Sequence, residues 1–135
     1  MVRVYFDANG AVLGRVGSLA CKELLKGKEV TIINAEKAII TGSRENIIGD
    51  ISAWKGLGGK GLKGPKVPRT SDRLMKRMIR GMLPWDRTKG REAFDRLRCF
   101  IGNGPLTVEE LRQVQKVEVK KPLKSITVAE VSKYI

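Results

Sequence analysis

Apolar residues recur along this chain with two different periods. Val2 to Phe6, VRVYF, is a short, mostly apolar run of strand character. Leu13, Val16, Ala20 and Leu24 then step by three and four, the spacing of one helix face, and Gly27 is a suitable terminator. Glu29 to Asn34, EVTIIN, is β-branched and predicts a second strand. Strand, helix and strand within 34 residues predict a βαβ unit, which implies a parallel pair with a right-handed crossover. KAIITG predicts a third short strand, or a turn and a strand. Ser43 then stands where it can cap a helix with Ile47, Ile48, Ile51 and Trp54 on its inner side.

The pattern breaks at Lys55. KGLGGKGLKGPKVPRT holds five glycines, two prolines and four lysines in sixteen residues, which predicts a flexible basic loop without regular structure. Ser71 then caps a helix, DRLMKRMIRGML. Leu74, Met75, Met78, Ile79 and Met82 form its apolar stripe, expected to face the core. Arg73, Lys76, Arg77 and Arg80 occupy the rest, and Pro84 closes it. TKGREAFDRLRCFIG predicts another helix running into a strand around Arg98 to Ile101. Thr107 with Glu110, and Thr127 with Glu130, are capping-box patterns that start two short helices. The glycine-rich stretch reads as a loop (55–70) projecting from one domain of residues 1–135. It is not a linker, because the part before it is too small to stand alone.

Charge sharpens this picture. The 135 residues carry 27 Lys+Arg against 14 Asp+Glu, a net of +13. Residues 55 to 98 hold 14 basic and 4 acidic side chains, a net of +10, while the residues before them are nearly neutral. Such a concentration repels itself and is relieved by a polyanion, nucleic acid first. No apolar run approaches the ~20 residues of a membrane span, and the first residues lead directly into a strand, so a soluble intracellular protein is expected. Aromatic content is only 5%, which predicts an aliphatic core. Cys21 and Cys99 lie in apolar contexts and read as buried free thiols. Two cysteines with no histidine make no zinc site, and the absence of histidine removes the commonest general base.

DANGAVLGRVGSLACKELLKG, Asp7 to Gly27, bears on nucleotide chemistry. A dinucleotide site wants G-x-G-x-x-G at the strand–helix turn. Here the glycines fall at 10, 14 and 17, Asp7 would put a carboxylate beside a pyrophosphate, and Arg15 stands where backbone should approach phosphate. The simpler expectation is that Gly10 makes a tight turn and that Gly14 and Gly17 let the helix pack on the sheet. No P-loop spacing, carboxylate pair or G-x-S-x-G elbow is present. The basic stretch is different in kind. Glycines let backbone come close to phosphates, and Lys60, Lys63, Lys66 and Arg69 project from a loop. Arg73, Arg77 and Arg80 share one helical face, with a planar fork suited to phosphate oxygens and to stacking on bases. Trp85, between Pro84 and Asp86, reads as a plug for the domain, with stacking on a base as the alternative.

DANGAVLGRVGSLACKELLKGKEVTIINAEKAIITG, followed by IRGMLPWDRTKGREAFDRLRCFIG, resembles the thirteenth protein of the large ribosomal subunit, a universal family. The pairing of LGR after the first strand with GMLP after the basic helix carries the resemblance, which runs from Val2 to about Gly102. The compact length and the closing SITVAEVSKYI look archaeal. The resemblance implies an α/β fold, three-layer α/β/α around a four-stranded, mainly parallel sheet, with the Rossmann-like βαβ start as scaffold. It implies a structural constituent of the cytoplasmic large subunit that binds large-subunit ribosomal RNA, supports early assembly, touches neighbouring ribosomal proteins and catalyses nothing. No cofactor, metal, membrane or small-molecule substrate is expected. The expected RNA contacts are Lys55, Lys60, Lys63, Lys66, Arg69, Arg73, Arg77, Arg80, Arg87, Lys89 and Arg91; none is assigned between Pro105 and Lys124. Two rivals stand beside this reading, a nucleotide-dependent enzyme and a nucleic-acid-binding protein outside the ribosome.

Overall fold

The computed structural model describes residues 2–58, 67–117 and 122–135. It opens on the expected βαβ unit, formed by β1 (Arg3–Asp7), α1 (Leu13–Leu25) and β2 (Glu29–Ile33). The two strands pair in parallel, in unbroken register from Arg3 opposite Glu29 to Asp7 opposite Ile33. α1 buries Leu13, Val16, Ala20 and Leu24, the predicted stripe, together with Gly17 and Cys21. Gly27, at φ +90°, takes the chain out of the helix in a conformation that side-chain-bearing residues resist.

A 3₁₀ turn (Ala35–Lys37) leads into β3 (Ile39–Thr41) and α2 (Arg44–Lys55). The Ser43 hydroxyl accepts the Asn46 N–H at 3.3 Å, as a cap should. The predicted basic loop begins as a 3₁₀ turn, Gly56–Gly58, so its first residues are regular after all; residues 59–66 lie outside the described residues. Then come α3 (Ser71–Arg80), α4 (Thr88–Asp95), β4 (Leu97–Cys99), α5 (Val108–Arg112), β5 (Gln115–Lys116), β6 (Ser125–Thr127) and α6 (Val128–Tyr134). Both capping-box threonines act as predicted: Thr107 accepts the Glu110 N–H at 3.3 Å and Thr127 the Glu130 N–H at 3.2 Å.

The main sheet has four parallel strands in the order β4-β2-β1-β5, and the fold is α/β. Its fourth strand is β5, two residues in a stretch where sequence pattern predicts no strand. β3 stays out of this sheet and pairs antiparallel with β6, Ile40 opposite Ile126. Strand alternation and register place Val4, Phe6, Val30, Ile32, Leu97 and Cys99 on one face of the main sheet. That face packs on α1, α3 and α4 and holds the core. The opposite face carries Arg3, Tyr5, Glu29, Thr31 and Arg98, with an Arg3–Glu29 ion pair at 3.0 Å. Among the described residues only a thin layer stands near it, around Pro105, Leu106 and Glu110, and α5 itself buries no residue. The largest fully buried side chains are Leu24, Ile32, Leu74, Met75, Ile79 and Leu97, so the core is aliphatic, as 5% aromatics predict.

Several local expectations need correcting. α3 is preceded by Thr70 as its cap position, not by Ser71, and no side chain closes that cap. Ser71 is the first helical residue and is buried. Of the predicted stripe, Leu74, Met75 and Ile79 are fully buried and Met78 packs partly on the core. Met82 is 41% exposed, because the helix ends at Arg80 and the chain turns before it reaches the inner side again. Gly14 is not a packing glycine, since a Cβ there would meet nothing within 4 Å. Gly17 is one, but its neighbours are Met82 and Ile79 after and within α3, not the sheet. A third helical glycine, Gly90 of α4, lies against the backbone carbonyl of Pro84.

These three glycines make a graded test. Alanine gains roughly 1 kcal/mol over glycine inside a helix. Gly14→Ala should therefore raise the stability of the protein by about that amount. Gly17→Ala should be close to neutral, because the half-exposed Met82 thioether 2.7 Å from the new methyl can swing aside. Gly90→Ala must displace backbone and should lose roughly 1–3 kcal/mol despite the same helical gain. Urea denaturation of the three variants gives the order directly, and a Gly90→Ala protein as stable as the parent contradicts the packing described.

Candidate nucleic-acid interface

α3 divides its ten residues between core and solvent. Leu74, Met75 and Ile79 anchor one side. Arg73, Lys76, Arg77 and Arg80 then stand on the other, at spacings of three and four, and share one sector of the helix surface. These four cations line a groove of about 640 Å³ together with Val67, Pro68, Trp85 and Phe94. Among the described residues no carboxylate lines it. A larger cleft, about 1040 Å³, lies between α2 and Leu123–Ser125, but it mixes Glu45 with Arg44 and Lys124 and has no ring in its walls.

Each of three groove cations lies over an aromatic ring. The Arg80 guanidinium is 4.0 Å from the Trp85 centroid, the Lys76 ammonium 4.8 Å from that of Phe94, and the Arg77 guanidinium 5.2 Å from that of Trp54. Trp85 and Phe94 meet edge-to-face at 5.2 Å. Trp85 is 36% exposed, so it is a wall of the groove and not the plug its flanking residues suggest. Burial, and then repulsion from Arg80, lower the Arg77 pKa from its ordinary value. The ring faces accept these cations on the groove side, while Asp72 lines a separate hollow with Arg73 and Lys76.

The other expected contacts fall into distinct groups. Arg87 precedes α4 and Lys89 lies in its first turn; both are exposed, and that turn has no acidic residue. Cations at the positive end of a helix lower its stability, so this placement does not serve the fold. Lys55 ends α2. Arg91 donates from Nε to the Trp85 carbonyl at 3.0 Å and from Nη2 to the Asp86 carbonyl at 3.4 Å, which holds the turn that presents Trp85. Arg69 donates from Nε to the Ser132 carbonyl at 3.2 Å and from Nη2 to the Lys133 carbonyl at 3.4 Å, which ties the approach to α3 onto α6. Lys60, Lys63 and Lys66 lie outside the described residues. Lys76 lines the groove but is not among the residues the sequence singles out, although its spacing from Arg73 and Arg80 puts it on their side of the helix. Nor is Phe94, whose place beside Trp85 comes from a separate helix and leaves no local signal.

The glycine turn after β1 is built for its own neighbours. The Asp7 carboxylate accepts the Asn9 N–H at 2.9 Å and the Asn34 side-chain amide at 3.0 Å. Asn34 sits in the left-handed region (φ 55°, ψ 39°) and its N–H reaches the Gly102 carbonyl at 2.8 Å. Glu36 accepts the Gly102 N–H at 3.1 Å, and the Gly10 N–H reaches the Lys37 carbonyl at 3.0 Å. In open α/β sheets the carboxyl ends of the strands are where a nucleotide would bind. Here two carboxylates stand at those ends and nearby N–H groups are paired within the chain. Burial raises the Cys21 thiol and pushes that of Cys99 up to about 12, so neither is a thiolate at neutral pH.

Comparison with known proteins adds the family. A model of the family described as ribosomal protein L13 matches residues 2–105. The chain is 42% identical to the large ribosomal subunit protein uL13 of Archaeoglobus fulgidus over 96% of its own length and 85% of the relative's. It is 42% identical to the protein of the same name from Methanocaldococcus jannaschii, over 96% of this chain and 94% of that one. With the uL13 of Methanopyrus kandleri it shares 50% identity over 77% of this chain and 64% of the relative. The family is one of structural components of the ribosome, not of enzymes. A parallel α/β scaffold carrying a basic helix, matched over most of its length by these relatives, belongs to the ribosomal protein L13 family of the large ribosomal subunit.

Proposed function

We propose that the chain binds large-subunit ribosomal RNA through α3 and its flanking segments, and that it supports early assembly of the subunit. The observation that carries the binding half is the α3 groove, where Arg73, Lys76, Arg77 and Arg80 converge without a lining carboxylate among the described residues. A polyanion supplies the missing countercharge, and a ribosomal particle supplies RNA as that polyanion. Lys55, Arg87 and Lys89 belong to the proposed contact, and so do Lys60, Lys63 and Lys66, on the strength of the sequence alone. Arg69 and Arg91, which already donate to backbone carbonyls, hold its outline. The assembly half rests on family membership, as do contacts with neighbouring ribosomal proteins. One domain of residues 1–135 is the proposed folding unit.

Binding of the purified chain to large-subunit RNA should be steeply salt-dependent. Each phosphate neutralised adds about −0.9 to the log–log slope on a duplex and about −0.7 on a single strand, so six or more contacts give a slope steeper than roughly −4. An affinity that hardly changes between low and physiological salt contradicts the reading. In sedimentation the chain should leave the free pool and travel with the large subunit; persistence in the free pool in growing cells points to a nucleic-acid partner outside the ribosome.

The two sides of α3 should separate by mutation. Ile79 is fully buried, and Ile79→Ala should lower stability by ~2–5 kcal/mol while the folded fraction still binds. Changing Arg73, Arg77 and Arg80 together to Gln should remove no more than about 2 kcal/mol, from one exposed and two half-buried side chains and two cation–π contacts. The same change should weaken RNA binding and flatten the salt slope by roughly 2 to 3. A triple variant that binds as tightly as the parent at physiological salt shows that RNA lies on another face.

A further inference from the structure

Phosphate binding alone explains the charge of the α3 groove but not its rings. A duplex offers phosphates along its outside, and basic side chains on a bare helix suffice to hold them. In this groove Arg80 and Lys76 face the two rings of the wall, Trp85 and Phe94, and Trp85 remains 36% exposed although an indole gains much from burial. Arg91, through its bonds to the Trp85 and Asp86 carbonyls, holds the turn that keeps the indole there. Cations set beside rings in one groove are the elements of a single-strand site, where bases stack and phosphates pair with charge.

We infer that this groove receives an unpaired stretch of RNA, with one base stacked on Trp85 and the flanking phosphates on Arg73, Lys76 and Arg77. The inference rests on the RNA-binding reading above and narrows it to single-stranded RNA. Arg80 covers the indole in this structure, at 4.0 Å. An exposed cation–π contact is weaker than base–aromatic stacking, and a guanidinium released from the ring makes a charge-assisted bond to phosphate. Exchange of Arg80 for a base therefore favours the bound state twice. An acidic protein tail would satisfy the cations, but its carboxylates meet the negative faces of the rings and gain nothing from them.

Trp54→Phe leaves Trp85 as the one remaining tryptophan, since the chain has two. This variant is titrated with a short single-stranded oligoadenylate, with the same strand in an RNA duplex, and with polyglutamate. The single strand should quench the Trp85 emission in step with binding measured by anisotropy, and the duplex should bind more weakly without comparable quenching. In the otherwise unchanged chain Trp85→Leu should weaken single-strand binding roughly tenfold, and Trp85→Phe should restore most of it. Equal quenching by duplex and single strand overturns the inference. So does quenching by polyglutamate at a lower concentration than by RNA, or a folded Trp85→Leu protein with the parent's single-strand affinity. If Trp85→Leu does not fold, the quenching titration decides alone. Single-strand binding indifferent to Trp85, with large-subunit RNA binding still lost in the triple arginine variant, removes the stacking and leaves the RNA-binding reading standing. Failure to bind any RNA removes both.

Discussion

Leu74, Met75 and Ile79 lose their contact with water against the core, and that burial sets the rotation of α3 about its own axis. Every position of charge in the groove follows from it. Once those three side chains point inward, Arg73, Lys76, Arg77 and Arg80 have no direction left but the groove side. The helix is held from several directions, by α1, by β4 and by α6, so its rotation is not free to relax when the cations repel one another. The parallel sheet thus acts at a distance: β2 and β4 place the apolar floor, α1 and α3 pack over it, and the exposed side of α3 receives its charges in a fixed array.

That array strains against itself in the free protein. Arg77 has its pKa lowered by burial and by Arg80, and α4 begins among Arg87 and Lys89, at the helix end where cations are least welcome. Aromatic faces stand in for the absent carboxylates. Trp54, Phe94 and Trp85 come from three different segments and converge on one row of cations. A surface selected only for solubility would intersperse acidic residues among these bases. The protein instead leaves the neutralisation incomplete, which fits a chain that belongs to a ribonucleoprotein particle.

Elements with a full period were legible in the sequence. α1 and β2 follow from their apolar spacing, and the caps at Ser43, Thr107 and Thr127 follow from residue type at fixed offset. β5 and β6 were not legible, because two or three residues carry no period and owe their strand form to distant partners. Met82 was misplaced for a related reason: helical spacing was carried past Arg80, where the chain had already turned. Gly14 shows that a glycine in a helix need not mark close packing, which only the neighbours can tell. The charge run points to a polyanion, yet it does not distinguish Arg73 and Arg80, which line the groove, from Arg69 and Arg91, which donate to backbone carbonyls. That difference is made by residues more than sixty positions away in one case and by a turn five to six positions back in the other.

The pairing of β3 with β6 also has a meaning in time. Ile40 and Ile126 stand opposite each other but are 86 positions apart. A polypeptide grows at about 5–20 residues per second, so β3 waits on the order of ten seconds for its partner to be made. Over that interval β1, α1 and β2 can close locally, while β3 offers an unpaired edge to any extended chain nearby. Completion of this small second sheet, and with it the docking of α6 on α3 and the Arg69 clamp, therefore comes after those local closures, because each needs residues from Ser125 onward.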